Sequence, residues 1–460
     1  MAEEFDAVGF GRRFQQFLGE LDDRLPAREP SELLRRLAEH VGRPPDGLPV
    51  VTESLPAYQH ANVQTALDAY LADRHEAELF GIGGSGREHY RFSELINRAE
   101  RHRVYDVGAV DYVSLPVGVD EERVCVRFGV YLITDGADRL AVLLRLAEHP
   151  YPAVQLEVLA AEPESARRFL AAIREAMRRH NLFRGKVLSV EPHEFGEGIG
   201  PVRFHVRPEV ARADVILPDG ALEIIERQVI GVATHRDRLR AAGHQLKRGV
   251  LLFGPPGSGK THTVRYLMSR LPEVTVVVVT GLGLHHVREA CALARLVAPT
   301  IVVVEDVDLI AEERGLSPAL NNPLLFQILN EMDGVDGDSD VAFLLTTNRV
   351  DVVEPALAQR PGRVDLAVEV PLPDAPARRR LLALYGPHLA LGADEAAAIV
   401  AETEGVTASF FAELARRAEL LAATEGAGPA GPAAVRAALA ELRASQEALE
   451  RAAGWDDEED

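Results

Sequence analysis

The first part of the chain changes between helical and β-type spacing of its apolar residues. Apolar positions recur at helical intervals from Leu33 to Val41, whereas the stretch from about Val104 to Arg207 is rich in apolar, β-branched runs. Three of these runs predict strands, at residues 124–132, 140–144 and 154–158. One helix, which begins near Pro163, interrupts them. We predict an α+β N-terminal region over residues 1–212, built as one or two subdomains.

The pattern changes again after Asp214, where short and almost continuously apolar runs alternate with helical stretches. These runs lie at residues 249–253, 274–280, 301–304 and 341–346. Runs of this kind are typical of parallel strands that are covered on both faces by helices. Residues 213–371 are therefore predicted to form an α/β core with a doubly wound parallel sheet. Only helical patterns follow over residues 372–455, before a short acidic tail at 456–460.

The clearest chemical signal directly follows the first of these core strands. A stretch there fits the pattern G-x-x-x-x-G-K-[ST] between a strand and a helix. Its members are Gly254, Pro255, Pro256, Gly257, Ser258, Gly259, Lys260 and Thr261. Glycines let backbone N–H groups surround a β-phosphate, while Lys260 neutralises phosphate oxygens and Thr261 offers a hydroxyl to Mg²⁺. The motif predicts a P-loop site for a nucleoside triphosphate and Mg²⁺.

A second chemical signal is the pair of acids that ends a later core strand. Glu305 and Asp306 directly follow the apolar run 301–304. At the carboxyl edge of a parallel sheet, one carboxylate can hold the Mg²⁺ shell while its neighbour orients and deprotonates the attacking water. The pair predicts hydrolysis of the triphosphate.

The remaining motifs occur in an order that resembles that of a known family. Asn348 ends the run 341–346, and Arg360 and Arg363 follow the Pro355-Ala356-Leu357 stretch. Together with the P-loop and the acid pair, this order resembles the AAA family of ATPases, within the AAA+ class. The resemblance covers about residues 214–424 and does not extend to the N-terminal region.

The resemblance implies an architecture, cofactors and partners. Residues 213–371 would be an AAA ATPase core, and residues 372–455 a helical lid whose turn at Thr403–Ser409 lies over the nucleotide. ATP and Mg²⁺ would be the ligands. The protein would act as a homo-oligomeric ring, expected to be a hexamer, on a protein client that the sequence does not identify.

The resemblance also implies a role for each site residue. Glu305 would lie on the Mg²⁺ side with Thr261, and Asp306 would be the base. Asn348 would be sensor 1, in contact with the attacking water or the γ-phosphate. Arg360 and Arg363 would be arginine fingers that reach the nucleotide of a neighbouring subunit, although exposed arginines also form ordinary salt bridges.

Two departures from the family pattern bear on the mechanism. The acids come as Glu305-Asp306 instead of Asp-Glu, so the base is one methylene shorter than usual; we expect hydrolysis to persist at a reduced rate. The segment Gly281–His286 is short and lacks the aromatic-hydrophobic-Gly loop with which protein-threading relatives grip substrates. That difference weakens a reading as an unfoldase.

Other signals are weaker. Gly81–Gly86 contains G-x-G-x-x-G, but it follows a stretch that looks helical through Phe80, so we expect a flexible loop and no second nucleotide site. The helix from 163 to 180 and the residues that follow it carry six arginines. In an acidic protein, such arginines indicate a solvent-exposed helix face more than a nucleic-acid-binding surface. They are Arg167, Arg168, Arg174, Arg178, Arg179 and Arg184.

Composition limits the remaining function classes. A formal net charge of −21 argues against a broad role in coating nucleic acids. Cys125 and Cys291 are too few for a disulfide framework and are expected in the core. The signature H-E-x-x-H is absent, which argues against a fused zinc protease. An acidic N-terminus and the lack of a long apolar run predict a cytoplasmic protein with no membrane partner.

Three functions remain open at this point. The first is an ATP-driven, chaperone-like remodeller of a protein client or complex. The second is a nucleotide-controlled switch or assembly factor with little or no threading of a substrate. The third, a nucleic-acid loader that works through the arginine-rich helix, is the least favoured because of the negative charge.

Overall fold

The computed structural model describes residues 13–14, 16–17, 31–72, 77–102, 105–147, 152–192, 199–308, 331–332, 339–349, 364–426 and 428–453. The chain divides into two compact units, one formed by residues 1–115 and 124–180 and the other by residues 116–123 and 181–460. We call them unit 1 and unit 2. Each contains a seven-stranded sheet.

Unit 1 is built on a sheet whose neighbouring strands run antiparallel along the main path. Its strands are β1 (Val50–Pro56), β2 (Ala77–Ile82), β3 (Val107–Gly108), β4 (Asp111–Gly118), β5 (Glu121–Asp135), β6 (Asp138–Ala147) and β7 (Ala153–Ala160). Its helices are α1 (Glu32–Val41), α2 (His60–Ala72), α3 (Phe92–His102) and α4 (Pro163–Arg179). The strand order is β1-β7-β6-β5-β2-β3, with β4 paired to β5. The three predicted strands lie within β5, β6 and β7, and the predicted helix is α4.

Both faces of this sheet are buried. Leu140, Val142 and Leu144 of β6 belong to a core with α2 and α4, while Ala141 and Leu143 belong to a second core with α1 and α3. Successive side chains of a strand point to opposite faces, so each helix pair covers one set. This double burial explains why the strands read as almost continuous apolar runs.

Two side chains of α2 bind the backbone of β5 at one residue. His60 Nε2 donates to the carbonyl oxygen of Val126 at 2.8 Å, and the N–H of Val126 donates to Gln64 Oε1 at 3.0 Å. The two side chains are one helical turn apart, so they reach the donor and the acceptor of the same residue. Burial lowers the pKa of His60. The clamp therefore uses a neutral imidazole.

The glycine-rich segment Gly81–Gly86 corrects one expectation. The sequence predicts a helical stretch through Phe80, but the helix ends at Ala72 and residues 77–82 form strand β2. Residues 77–80 pair with β5 in an antiparallel register, which overrides the helical propensity of Ala77, Glu78 and Leu79. The segment thus does lie between a strand and a helix.

Unit 2 contains the elements around the P-loop. Its strands are β8 (Val187–Pro192), β9 (Ile199–His205), β10 (Arg248–Phe253), β11 (Thr275–Val279), β12 (Thr300–Val304), β13 (Val341–Thr347) and β14 (Leu366–Glu369). Its helices are α5 (Ala221–Glu226), α6 (Val232–Thr234), α7 (Arg236–Ala241), α8 (Lys260–Ser269), α9 (Val287–Leu296), α10 (Ala375–Tyr385), α11 (Ala393–Glu402), α12 (Ala408–Thr424) and α13 (Pro432–Ala453). The four strands predicted for the core are β10, β11, β12 and β13, within one residue at each end.

The sheet of unit 2 has the order β14-β10-β13-β12-β11-β8-β9. All neighbours pair in parallel except β8 and β9, which pair antiparallel. The sheet is therefore mixed, with a parallel α/β core. Strands β8 and β9 fall inside the stretch 1–212 that the sequence grouped with the N-terminal region, yet residues 187–189 pair with β11 and extend this sheet.

The segment Gly281–His286, which follows β11, forms 3₁₀ turns. Its backbone lies close to β8, because a Cβ on Gly283 would be 2.8 Å from the carbonyl oxygen of Val190. The N–H of Gly283 donates to the carbonyl oxygen of Thr280 at 3.0 Å. The segment is therefore folded against the sheet at this position.

The four helices after β14 share a separate hydrophobic core. Leu382 of α10, Ile399 of α11, Phe411 of α12 and Leu439 of α13 are buried in it. Helix α10 begins at Asp374, whose carboxylate accepts from the N–H of Ala377 at 2.8 Å. In the described part of the chain, no helix is both long enough and apolar enough to cross a membrane.

Candidate active site

The P-loop joins the end of β10 to the start of α8 and depends on glycine at defined points. Gly254 has φ +149° and Gly257 has φ +74°, both in the region that favours glycine. A Cβ on Gly254 would overlap the carbonyl oxygen of Val370, which follows β14. The flanking strands thus impose the path of the loop, and only a residue without a side chain can follow it.

Lys260 is the first residue of α8, a helix that starts without a side-chain cap. Its ammonium donates to the carbonyl oxygens of Gly254 and Pro255, each at 2.8 Å. Burial lowers the pKa of this ammonium, and the carboxylates of Asp306 and Asp308 oppose that shift. The cation therefore lies within electrostatic reach of the acids that follow β12.

The acid loop, Glu305–Asp308, leaves β12 in a constrained turn. Asp306 has φ +52°, a left-handed conformation that few non-glycine residues adopt. Its N–H donates to Thr346 Oγ1 at 3.1 Å, and the N–H of Val307 donates to the carbonyl oxygen of Thr346 at 3.0 Å. The end of the neighbouring strand β13 thus holds the acid loop in this conformation.

Side chains continue the connection between the acid loop and β13. Asn348 Nδ2 donates to Asp306 Oδ1 at 3.2 Å. Asp308 Oδ1 accepts from the hydroxyl of Thr347 at 2.9 Å and from the N–H of Asn348 at 3.1 Å. The predicted base and the predicted sensor 1 residue are therefore hydrogen-bonded to each other.

A turn at the start of α12 contacts the P-loop from the helical segment. The N–H of Ser409 donates to the carbonyl oxygen of Gly257 at 3.0 Å. The hydroxyls of Thr407 and Ser409 are 3.0 Å apart, and a Cβ on Gly257 would overlap the Ser409 hydroxyl. The turn at Thr403–Ser409, singled out in the sequence, thus lies against the phosphate loop.

A pocket opens beside the P-loop, between the segment before α5 and the start of α10. Its apolar walls come from separate parts of the chain and include Ile216, Leu217, Val370, Pro371, Leu381 and Ala408. Asp219, Asp374 and Arg380 supply polar groups. Ser258 of the P-loop also lines it, and its buried hydroxyl has no hydrogen-bond partner among the described residues. A pocket with both apolar walls and polar groups can bind a heterocyclic base.

The other predicted site residues are placed less completely. Thr261 is exposed in the first turn of α8. Glu305 is half-buried, and its N–H donates to the carbonyl oxygen of Val279 at 3.4 Å. Arg360 and Arg363 lie outside the described residues, as does the stretch 355–357. Among the described residues, no three His, Cys, Asp or Glu side chains form a group that could hold a metal ion by themselves.

Sequence reasoning missed several residues of the site. The sequence shows polar residues at these strand ends, namely Thr346, Thr347 and Asp308. No motif around them predicts a role in the site. The pocket had no local signal at all, because its walls come from residues 216–219 and 370–381 together with Ala408. Only the fold brings these stretches together.

The arginine-rich helix α4 is largely neutralised by neighbouring acids. Arg168 pairs with Asp138 at 2.8 Å and Arg174 with Glu53 at 2.6 Å. Arg167 and Arg178 pair with Glu164 and Glu175 of the same helix. A surface for nucleic acid needs excess positive charge, which these pairs remove. The helix therefore gives little support to the loader hypothesis.

Comparison with known proteins agrees with this site. The family model described as "ATPase family associated with various cellular activities (AAA)" matches residues 250–372. The chain is 33% identical to the ATP-dependent zinc metalloprotease FtsH of Thermus thermophilus over 232 residues, 48% of this chain and 37% of that protein. It is 29% identical to the human ATPase family gene 2 protein homolog A over 394 residues, 79% of this chain and 42% of that protein.

A third relative, the ATP-dependent zinc metalloprotease FtsH 2 of Sphaerobacter thermophilus, is 37% identical over 222 residues, 45% of this chain and 33% of that protein. The chain therefore spans less than half the length of each of these relatives. The matched family domain begins in β10 and ends just after β14, so it contains the P-loop, the acid loop and the Asn348 strand end. Residues 250–372 of the chain are therefore similar to the domain that defines the AAA family of ATPases.

Proposed function

We propose that unit 2 hydrolyses ATP with Mg²⁺ and uses the energy to remodel a protein client or complex. One observation carries this proposal: Asp306 and Asn348 are hydrogen-bonded at the carboxyl edge of one parallel sheet, whose strand β10 leads into a glycine loop and a helix that begins at Lys260. Ligands of open α/β sheets bind at this edge. Cation, carboxylate and amide are the groups that phosphoryl transfer to water requires.

The P-loop is suited to hold the triphosphate. The uncapped start of α8 offers N–H groups and a favourable partial charge to phosphate oxygens. The buried, unpartnered Ser258 hydroxyl fits a polar ligand group in the same place. Mg²⁺ would be held by the Thr261 hydroxyl and Glu305 and would supply neutralisation of phosphate charge. The pocket beside the loop would take the adenine.

Asp306 would accept the proton of the attacking water, and Asn348 would orient that water or the γ-phosphate. The hydrogen bond from Asn348 Nδ2 to Asp306 Oδ1 fixes the two side chains relative to each other. Aspartate is one methylene shorter than the glutamate of the family pattern that the sequence resembles, so the acid must come closer to the water. The left-handed turn at Asp306 is one way in which the chain could bring it closer.

Arg360 and Arg363 would complete the site of an adjacent subunit in a homo-oligomeric ring, expected to be a hexamer. A planar guanidinium that stays charged suits the charge that develops on the transferred phosphoryl group. The helices α10–α13 would act as the lid, because the turn before α12 already contacts Gly257 of the P-loop. Movement of these helices would then follow the state of the nucleotide.

The proposal is tested with two variants of the site. Lys260→Ala is expected to abolish ATP binding, measured by titration with a fluorescent ATP analogue. Asp306→Asn keeps the shape of the side chain but cannot take a proton, so binding should persist while phosphate release slows by roughly 100-fold or more. Unchanged phosphate release in Asp306→Asn would overturn the base assignment, and wild-type protein without ATP turnover would overturn the whole proposal.

A nucleotide-controlled switch with little threading is a second candidate, and one observation favours it. The segment Gly281–His286 forms 3₁₀ turns packed against β8, with Gly283 too close to Val190 to carry a side chain. A segment held in this way is poorly suited to grip a moving polypeptide. The test measures whether the wild-type chain with ATP unfolds a tagged fluorescent protein. Unfolding would favour a remodeller that threads its substrate. Full ATP turnover without unfolding would favour the switch.

A further inference from the structure

Asp308 is a buried acid to which the proposed mechanism gives no role. Its side chain is 6% exposed, and it follows the proposed base Asp306 by two positions. In the described part of the chain its hydrogen-bond donors are the neutral Thr347 hydroxyl and the Asn348 N–H. Asp308 also interacts electrostatically with Lys260. A buried carboxylate held by hydrogen bonds from two consecutive residues fixes the position of both.

Both hydrogen bonds of Asp308 fix the chain on either side of one residue. The Asn348 N–H donates to Asp308 Oδ1 at 3.1 Å, and the Thr347 hydroxyl donates to the same oxygen at 2.9 Å. The Thr347 hydroxyl also accepts from the N–H of Arg349 at 3.0 Å. The backbone before, at and after Asn348 is thus tied to a single carboxylate oxygen.

Asn348 in turn reaches the base. Its Nδ2 donates to Asp306 Oδ1 at 3.2 Å, while the N–H of Asp306 is held by Thr346. The side chain of Asp306 starts from a left-handed backbone, so its direction depends on these neighbours. If the Asn348 backbone shifts, the amide loses its hold on the base.

We propose that Asp308 is a positioning residue for ATP hydrolysis: it fixes the backbone of Asn348 so that the amide of Asn348 holds Asp306 in line for the attacking water. The inference rests on the proposed function of the site. Asp308 acts through Asn348 and does not touch the nucleotide, so its loss changes kcat and leaves affinity for MgATP intact.

The test compares Asp308→Ala with Asp308→Asn. Alanine removes both hydrogen bonds, and a displacement of about 1 Å at a reacting group lowers kcat by roughly 10- to 100-fold. Asparagine keeps the Oδ1 acceptor and should restore kcat to within about fivefold of wild type, because position and not charge is required. The Kd for a fluorescent ATP analogue should stay within about twofold in both variants. Phosphate release gives kcat, and light scattering confirms that each variant assembles as the wild type does.

Asp340 provides a matched control. It is 5% exposed and lies at the other end of β13, where it pairs with Arg248 at 2.9 Å. Asp340→Ala removes a similarly buried carboxylate that is separated from Asn348 by the whole length of β13. This variant should unfold at a lower temperature while its folded molecules keep the wild-type kcat. A role of Asp308 in stability alone would give Asp308→Ala the same behaviour.

If Asp308→Ala does not fold, Thr347→Val and Thr347→Ser replace it, since valine removes the hydroxyl and serine keeps it. The proposal expects a lower kcat only for Thr347→Val, and equal kcat values would overturn it. Wild-type kcat in folded Asp308→Ala, or a matching loss of nucleotide binding, would also overturn it while leaving the proposed function intact. Wild-type protein that binds ATP without turning it over would instead remove the proposed function, and this inference with it.

Discussion

Among the described residues, the glycine-rich loops Gly81–Gly86 and Gly254–Gly259 both lie between a strand and a helix, and they differ in what occupies the start of the helix. In unit 1, Gly81–Gly86 leads toward α3, where the N–H of Phe92 donates to Glu157 Oε2 at 2.7 Å. The N–H of Arg91 donates to Glu94 Oε2 at 2.8 Å. In unit 2, the P-loop leads into α8, which begins at Lys260 without a side-chain cap.

Glycine permits a close backbone approach in both loops. A Cβ on Gly81 would overlap the carbonyl oxygen of Ala109, and a Cβ on Gly254 would overlap that of Val370. The two loops therefore differ less in their glycines than in the helix start that follows them. In α3 carboxylates already take N–H groups at the helix start, whereas the uncapped start of α8 leaves its N–H groups available to an anion.

The largest expected effect is a loss of ATP affinity when alanine replaces a glycine of the P-loop but not when it replaces a glycine of the unit 1 loop. Gly254→Ala forces a side chain into the carbonyl oxygen of Val370, so the P-loop must change its path. ATP affinity should fall by about 1000-fold or more, which corresponds to roughly 4 kcal/mol. Gly81→Ala should destabilise unit 1 with ATP affinity unchanged. Titration with a fluorescent ATP analogue and a thermal unfolding curve measure both effects, and weakened binding in Gly81→Ala would contradict the comparison.

The next largest effect is expected for Glu157, which accepts a hydrogen bond at the start of α3 in unit 1. Glu157 is 1% exposed, binds Arg145 at 2.6 Å and accepts from the N–H of Phe92. Glu157→Ala leaves Arg145 buried without its counter-charge, and such a loss costs about 3–5 kcal/mol in the free energy of unfolding. Faster hydrogen exchange at the first turn of α3, with ATP binding intact, should accompany this cost.

The control for that variant is an exposed ion pair of the same unit. Arg168 pairs with Asp138 at 2.8 Å, with its own side chain 58% exposed. Solvent screens such a pair, so Arg168→Ala should leave the unfolding transition of unit 1 unchanged. Equal destabilisation by Glu157→Ala and Arg168→Ala would show that the buried pair is not what secures the start of α3.

The smallest expected effect is a difference in acid sensitivity. Burial lowers the pKa of His60 in the folded state, whereas the unfolded histidine has a pKa of about 6.5. The unfolded chain therefore binds more protons in this range, and the free energy of unfolding of unit 1 should fall as pH drops below about 6.5. His60→Gln should flatten this dependence in urea titrations between about pH 7 and 5. A dependence unchanged by His60→Gln would rule out this histidine as its origin.

Much of unit 2 could be read from the sequence because its signals are local. The P-loop motif lies on consecutive residues, and the buried parallel strands appear as uninterrupted apolar runs such as 301–304. The acids that follow β12 and the amide that follows β13 also had to meet, since parallel strands end at the same edge. Asn348 and Asp306 are hydrogen-bonded to each other at this edge.

Other features depend on residues that are distant in sequence. Strand β2 was misread because its pairing with β5 outweighs local propensity. Glu157 accepts a hydrogen bond from Phe92 at the start of α3, and Asp308 accepts one from Asn348. No local sequence pattern near Phe92 or Asn348 predicts these partners. The roles of Arg360 and Arg363 stay predictions, because both lie outside the described residues.

The sequence by itself determined which chemistry unit 2 can hold, because glycine, lysine and acid must occupy fixed positions along one strand–loop–helix stretch and two neighbouring strand ends. Tertiary structure decided which loop can use that chemistry. A helix start offers its N–H groups to a ligand only if no side chain from elsewhere in the fold has taken them, and that depends on packing between strands and helices many residues apart.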